Sequence, residues 1–448
     1  MRSFMLDTLM RRLCVCVQSA LLCVLVASIA PAVSADDLRV GTAKAEFELP
    51  YGMPLAGYSR RRGRPNQGTH DPVGVRALAV QGATGAVVIA SCDLLIIDED
   101  IARLVKERAR QEGLAENFHL LLAATHTHSG PGAYGKRFAE KVSMGHYEPE
   151  AADAIIRTIA TTVARAATTL APAQMAVRSG RTEGLVKNRA QEDGFADDEL
   201  TLAAFYPIET MTVHDSVVAA APEQAQFVST QSPIAVLMNF SAHPTALGAS
   251  NYQFSGDYPG VLMREIESRF PSATCLFLAG AVADQAPVKE GDGFEPAEHL
   301  GQELAARASQ MLENMRPEPV ASVRVSRRLH PLDRPDVRLG GFRLFGWLSR
   351  ALVDDDATLT AISIGRLILA GVPCDLAASL GDRIKQAARA SGLDPMIVGF
   401  ADDYIGYCLP REAYADKSYE TSMAFNGPDT GERITRALIE MIHETNPQ

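Results

Sequence analysis

Two histidines separated by one residue open the chemical reading of this chain: Thr125-His126-Thr127-His128-Ser129-Gly130-Pro131. Side chains at i and i+2 of an extended segment point the same way, so His126 and His128 can address one site. The pair follows the apolar run Phe118–Thr125 and precedes a Gly-Pro loop, a setting that fits a metal centre as well as two polar loop residues. A third histidine, His243 in Ser241-Ala242-His243-Pro244, again stands just past an apolar run, Ile234–Phe240. Alone it reads as a satisfied loop residue. With His126 it supplies a second imidazole from a distant strand, the usual way a catalytic zinc is built. Asp375, in Gly371-Val372-Pro373-Cys374-Asp375, follows the run Arg366–Ala370 and fits either a helix N-cap or a carboxylate ligand.

A block dense in phenols and carboxylates comes next: Asp402-Asp403-Tyr404-Ile405-Gly406-Tyr407, Arg411-Glu412-Ala413-Tyr414 and Ser418-Tyr419-Glu420. A phenol beside a divalent cation can bind as phenolate, because the cation favours the charged form. The competing reading is a set of amphipathic surface aromatics. Three further motifs stay open. Arg60-Arg61-Arg62-Gly63-Arg64 is a solvated loop or a contact for an anionic head group or carboxylate product. His70-Asp71-Pro72 is a local turn or carries a site-facing histidine. Gly341–Arg350 interleaves apolar and basic residues around the single Trp, Trp347, as an interfacial lid or as a core-packed segment.

The elements that must position these residues alternate in type. Val75–Gln81, Ala86–Cys92, Phe118–Thr125, Ile234–Phe240, Thr274–Ala279, Thr358–Ile364 and Arg366–Ala370 read as strands. Glu99–Glu112, Glu150–Thr169, Tyr258–Phe270, Glu298–Met315, Leu376–Ser391 and Thr430–Glu444 read as helices. The expected fold is α/β, a mixed β-sheet core with flanking helices in a single large domain. Arg316–Asp356 shows little continuity of either type. In such folds ligands sit at strand ends, where the candidate residues fall.

The 448 residues are 47% hydrophobic and 22% charged, with Gly 34 and Pro 25, which excludes a disordered, collagenous or low-complexity chain. A net charge of −11 argues against a protein that coats nucleic acid. Residues 1–35 read as a secretory signal: Arg2, Arg11 and Arg12, an apolar stretch from Leu13 to Ile29, then Val33-Ser34-Ala35 before Asp36. An uncleaved anchor is the alternative. Cys92, Cys275, Cys374 and Cys408 remain, in apolar runs without CxxC spacing, as buried thiols or one disulfide.

Taken in order, the THTHSGP string, the Asn239…His243 segment, the Gly-Val-Pro-Cys-Asp turn and Asp403-Tyr404-Ile405-Gly406-Tyr407…Tyr419-Glu420 resemble the N-terminal catalytic domain of the neutral/alkaline, non-lysosomal ceramidases. The likeness runs from about Val40 to the chain end. It implies a zinc amidase that splits the N-acyl bond of ceramide, over residues 36–448. It implies Zn²⁺ held by His126, His243, Asp375 and Tyr407, with His128 near the substrate amide, Arg189 of the Asn188-Arg189 pair lining the site and Tyr419 on the reacting carbonyl. Two positions depart from the family pattern. Asp375 stands where the family has Glu, and Ala286 in Ala283-Asp284-Gln285-Ala286-Pro287 stands where the family has a serine. The length also leaves no room for the extra C-terminal β-sandwich of the long ceramidases. The resemblance implies a lipid-like or N-acyl amide substrate; the net charge speaks for no nucleic-acid partner, Gly341–Arg350 leaves room for peripheral membrane contact, and the signal pattern points to a secreted or periplasmic location. Another N-acyl amide or ester as substrate, or a non-catalytic binding role, remains open at this point.

Overall fold

The computed structural model describes residues 38–208, 232–333, 353–415 and 418–446, with positions 335, 337–339, 342–343 and 349. Residues 1–35, read above as a secretory signal, lie outside these residues, as does most of Gly341–Arg350. Every element below belongs to one unit of the chain, Asp36–Pro207 with Phe227–Gln448.

The main sheet contains β1 (Arg39–Glu46), β2 (Gly74–Gly82), β3 (Gly85–Cys92), β4 (Phe118–Ala124), β5 (Ala171–Arg181), β6 (Glu199–Pro207), β7 (Ala235–Phe240) and β8 (Thr274–Ala279). Its order is β4-β3-β2-β1-β5-β6-β7-β8. Two pairs, β3 with β4 and β7 with β8, are parallel and the rest antiparallel. A second sheet orders β9 (Val323–Pro331), β10 (Asp356–Ile364), β11 (Leu367–Gly371) and β12 (Asp394–Val398), with β11 and β12 parallel.

Four layers result. Helices α1 (Glu99–Gln111), α3 (Pro149–Thr168), α4 (Asp257–Arg269) and α5 (Glu295–Glu313) cover one face of the main sheet; the seven-residue α2 (Phe138–Met144) lies apart, near the site. The other face, with Val87, Ile89, Leu237 and Leu276, packs on Ile362, Leu369, Met396 and Val398 of the second sheet. The far face of that sheet, with Leu359, Ala361, Ile368 and Ile397, is closed by α6 (Ala378–Ala390) and α7 (Thr430–Thr445). Because both faces of each sheet are covered, inner strands are largely apolar; all six residues of β7 are buried. The α1 N-terminus is set by Asp98, whose side chain accepts from Ile101 N at 2.7 Å, with Glu99 and Asp100 in the first turn.

The expected α/β class holds, with a mixed main sheet and flanking helices. The low-continuity stretch at Arg316–Asp356 is corrected in part: β9 pairs with β10 over nine residues. Its Val-Arg-Val-Ser-Arg-Arg-Leu-His-Pro sequence is that of an edge strand defended by charge, which masks the apolar alternation. The four cysteines are buried and free.

Parallel pairs end together, and their carboxyl ends carry the candidate residues. Asn239 of β7 ties the sheets: its Nδ2 donates to Leu278 O at 2.8 Å and to Ile397 O, in the second sheet, at 2.7 Å. Asp402, just past β12, accepts from Leu122 N of β4 at 3.0 Å. A buried ion pair locks the layers further. Lys385 of α6 donates to Asp197 at 2.7 Å, and Ser241 donates to the same oxygen at 2.7 Å. Removing one partner of such a pair strands a buried charge. Lys385→Met should therefore lower unfolding free energy by about 3–5 kcal/mol in a urea titration.

Candidate metal centre and cleft

His126 is the first residue to break from β4. Its φ of 63° is left-handed, and this turn, rather than an extended segment, brings its ring against that of His128. Phe400, also left-handed at φ 55°, stacks on the His126 imidazole with centroids 3.7 Å apart and planes within 5°. His243 arrives from the end of β7. The three Nε2 atoms converge: His126 to His243 3.0 Å, His128 to His243 3.1 Å, His128 to His126 3.4 Å.

Such spacing suits a shared cation. Metal–nitrogen bonds of 2.0–2.1 Å in a tetrahedral arrangement set nitrogens about 3.3 Å apart. Two of the rings are aimed by backbone carbonyls. His126 Nδ1 meets Leu95 O at 2.6 Å and His243 Nδ1 meets Val282 O at 3.3 Å, which turns each Nε2 lone pair inward. His128 has no hydrogen-bond partner at Nδ1 among the described residues. Its ring lies instead against Gly57, whose φ is 102° and where an added Cβ would stand 2.6 Å from the imidazole.

Asp375 is fully buried and does not cap α6, whose N-cap is Ala377. Its Oδ2 accepts from Tyr404 OH at 2.8 Å, while Oδ1 has no hydrogen-bond partner among the described residues and lies 3.6 Å from His126 Nε2. Asp375 and Tyr407 are register partners in a short parallel ribbon, so the strand pairing itself sets them side by side. Arg189 stands behind Tyr407: Nη2 donates to the phenol oxygen at 3.0 Å and to Ala283 O at 2.7 Å, and Nε faces Glu420 at 3.2 Å. Tyr419 is 61% exposed at the cleft edge, its ring 6.0 Å from that of Tyr407.

Burial governs the electrostatics of every one of these groups. Burial pushes the Asp375 carboxyl up to about 7, although the Tyr404 hydroxyl and Arg189 pull it down. Burial, then Asp375, pushes the Tyr407 phenol up, against the pull of Arg189. Burial holds His126 down at about 3, and holds His128 and His243 well below the ordinary histidine range. Three neutral imidazoles, an orphaned carboxylate oxygen and a phenol form a donor set for a divalent cation.

Some supports have no local sequence signature. Arg61, inside the basic run that reads as a solvated loop, is 1% exposed. It donates to Ala56 O at 2.8 Å, His128 O at 2.5 Å and Gly248 O at 3.3 Å, clamping three loops. Asp284 accepts from Asn188 Nδ2 at 3.0 Å and from Ala378 N at 2.9 Å, and its carbonyl accepts from Arg189 N at 2.7 Å. Ala286 sits opposite Lys187 in the ribbon that carries Asn188. His70 stacks on Phe294 and touches Asp71, and joins none of the site contacts. The cleft over the cluster encloses about 720 Å³, mouth included; Leu95, Ile96, Met144, Ile405, Met423 and Phe425 line it with His126, His128, Asp375, Tyr404, Tyr407 and Tyr419.

Residues 40–292 match the profile of the neutral/alkaline non-lysosomal ceramidase N-terminal domain. A neutral ceramidase of Pseudomonas aeruginosa is 21% identical over 508 aligned positions, covering 94% of this chain and 74% of that protein. One from Mycobacterium tuberculosis is 28% identical over 140 positions, 31% of this chain and 21% of that protein. The crystal structure of the Pseudomonas neutral ceramidase superposes with a TM-score of 0.74 at 20% identity, over 91% of this chain and 74% of the other. A ceramidase complexed with C2 superposes with a TM-score of 0.73 at 19% identity, over 91% and 75%.

Two outcomes follow from the geometry. Gly57→Ala should push the His128 ring off the cluster but leave the carbonyl-anchored His126 and His243 in place, so affinity for added Zn²⁺ in calorimetry should stay within about threefold of the parent, with the fold unchanged by circular dichroism. Because the buried imidazoles are already neutral, Asp375 and the Tyr407 phenol supply the protons that metal must displace. Metal affinity should rise with pH on both sides of pH ~7, and up to about tenfold per pH unit more steeply below it, where Asp375 is also protonated. Asp375→Asn should flatten that slope.

Proposed function

The chain belongs to the neutral/alkaline non-lysosomal ceramidase family, and from that premise we propose that it is a zinc-dependent amidohydrolase that cleaves an N-acyl amide, ceramide included, into an amine and a fatty acid. The observation that carries this reading is the convergence of three imidazole nitrogens with the orphaned Asp375 oxygen at the floor of an apolar cleft. His126, His243, Asp375 and Tyr407 would hold the ion, since two carbonyl-anchored rings and two adjacent anionic groups balance its charge. When bound, zinc supplies Lewis-acid polarisation and makes water nucleophilic near neutral pH.

The chain's own groups divide the remaining work. His128 lacks an Nδ1 anchor, so its ring is the one suited to carry a proton to the leaving amine. Tyr419, at the cleft edge, is placed to donate to the developing oxyanion. Arg189 touches the Tyr407 oxygen and favours its phenolate form. The apolar wall excludes water and accepts an acyl chain. None of these steps uses a serine hydroxyl, so Ala286 is compatible with hydrolysis. Departures at Ala286 and Asp375 favour a second reading in which the acyl amide or ester differs from ceramide. Residues 1–35 carry a signal pattern, on which we base a secreted or periplasmic location.

Metal-quantified protein incubated with ceramides, short N-acyl amides and esters, with and without chelator, tests the class and the substrate together. Hydrolysis should vanish on chelation and return with Zn²⁺, and Tyr419→Phe should lower kcat about a hundredfold. An H126A protein that retained zinc and full activity would sink the assignment.

A further inference from the structure

The walls of the cleft continue into a surface that its own packing does not explain. Arg137, Glu140, Ser143 and Met144 of the α2 segment line the cleft, which uses one side of that short helix. Phe138 and Val142, one turn apart on the opposite side, are left 61% and 49% exposed. Tyr419 adds a third exposed apolar side chain on the same mouth.

The loop after Gly57 packs against the end of α2. Gly57 N donates to Ser143 O at 2.9 Å, and a Cβ built on Gly145 would stand 3.3 Å from the Gly63 backbone. That loop presents Arg60, Arg62 and Arg64 to solvent, and Lys136 and Lys141 are exposed on the α2 side. Arg60, Arg62, Arg64 and Lys141 are in no ion pair among the described residues, while Lys136 lies over the Tyr147 ring within the field of Asp98 and Asp100, and the neighbouring Glu140 and Asp354 are turned onto Arg137. A chain of net charge −11 thus gathers unneutralised positive charge and exposed apolar side chains at the mouth of its apolar cleft.

We propose that this rim, residues 59–64 with the helix Phe138–Met144, is a docking surface for a lipid bilayer carrying anionic head groups. Phe138 and Val142 enter the interface, and the arginines and lysines lie over the head groups. Apolar side chains alone would suit a protein partner equally; the surplus of cations in an acidic chain selects an anionic surface. Docking in this pose sets the cleft mouth against the bilayer, so a two-tailed lipid reaches the metal centre without crossing water. That delivery role rests on the N-acyl lipid reading above; the docking does not.

Co-sedimentation of the purified full chain with vesicles tests it. Vesicles of phosphatidylcholine alone are compared with vesicles carrying phosphatidylglycerol, at low and high salt. The parent protein should bind the anionic vesicles at least about tenfold more tightly, with the advantage fading at high salt. Arg60→Gln/Arg62→Gln/Arg64→Gln should abolish that preference. Phe138→Ser/Val142→Ser should weaken binding to anionic vesicles about tenfold. Both variants should keep the parent's circular dichroism and hydrolyse a water-soluble short N-acyl amide within about twofold of the parent. Equal parent binding to both vesicle types, or either variant binding as the parent does, overturns the docking surface. Absence of hydrolysis by every form overturns the proposed function instead, and the vesicle result still decides the docking.

Discussion

A carboxylate buried without a cation is the constraint around which this molecule is arranged. Asp375 is inaccessible to water, one of its oxygens has no hydrogen-bond partner among the described residues, and three neutral imidazole nitrogens lie in front of it. An ionised carboxyl in so dry a place is costly unless positive charge stands beside it. Arg189 is the nearest protein cation, but its guanidinium is spent on Ala283 O, Glu420 and Tyr407. A divalent ion at the imidazole triangle would relieve the carboxyl and the Tyr407 phenol together.

Holding that arrangement takes both sheets. His126 and His243 come from the main sheet, and Asp375 and Tyr407 follow strands of the second. The two sets keep register because the sheets are cross-linked near their carboxyl ends by Asn239 and Asp402, and by the buried Lys385–Asp197–Ser241 group one residue from the His243 loop. Asp284 works at a finer scale. It joins the Asn188-Arg189 segment to the start of α6 and so fixes the guanidinium behind Tyr407. Left-handed backbone at both His126 and Phe400 supports one stacked pair, local strain at a site held by surrounding bonds.

The cleft and its rim follow from the same construction. The β4 loop and the Tyr404–Tyr407 segment supply the polar floor, while α2 and the 423–425 turn supply apolar walls. The basic loop 59–64 is anchored from beneath by Arg61, which lets its neighbours face outward with their charge unspent. A single run of arginines thus serves two ends, one member as an internal clamp and the others as surface charge.

Local pattern was enough for the α/β class and most strands and helices, and it drew attention to the polar residues at strand exits, because buried strands flanked by turn residues and a His-x-His at a strand exit carry their signal within a few residues. The strand β9 stayed hidden by its arginines, and β1 and β5 interrupt their apolar residues with charge, glycine or proline. What local pattern cannot express is distance between segments far apart in the chain. Nothing in Arg60–Arg64 distinguishes Arg61 from its neighbours; only the loops that close over it do. Nor does the spelling of Gly-Val-Pro-Cys-Asp decide between a helix cap and a ligand. Tertiary packing ruled out the cap, by ending the ribbon at Leu376, starting the helix at Ala378 and turning the carboxyl inward. The residue types determined which atoms could bind an ion; the long-range pairing of two sheets determined that they meet, since only there is the cost of burying their charge shared.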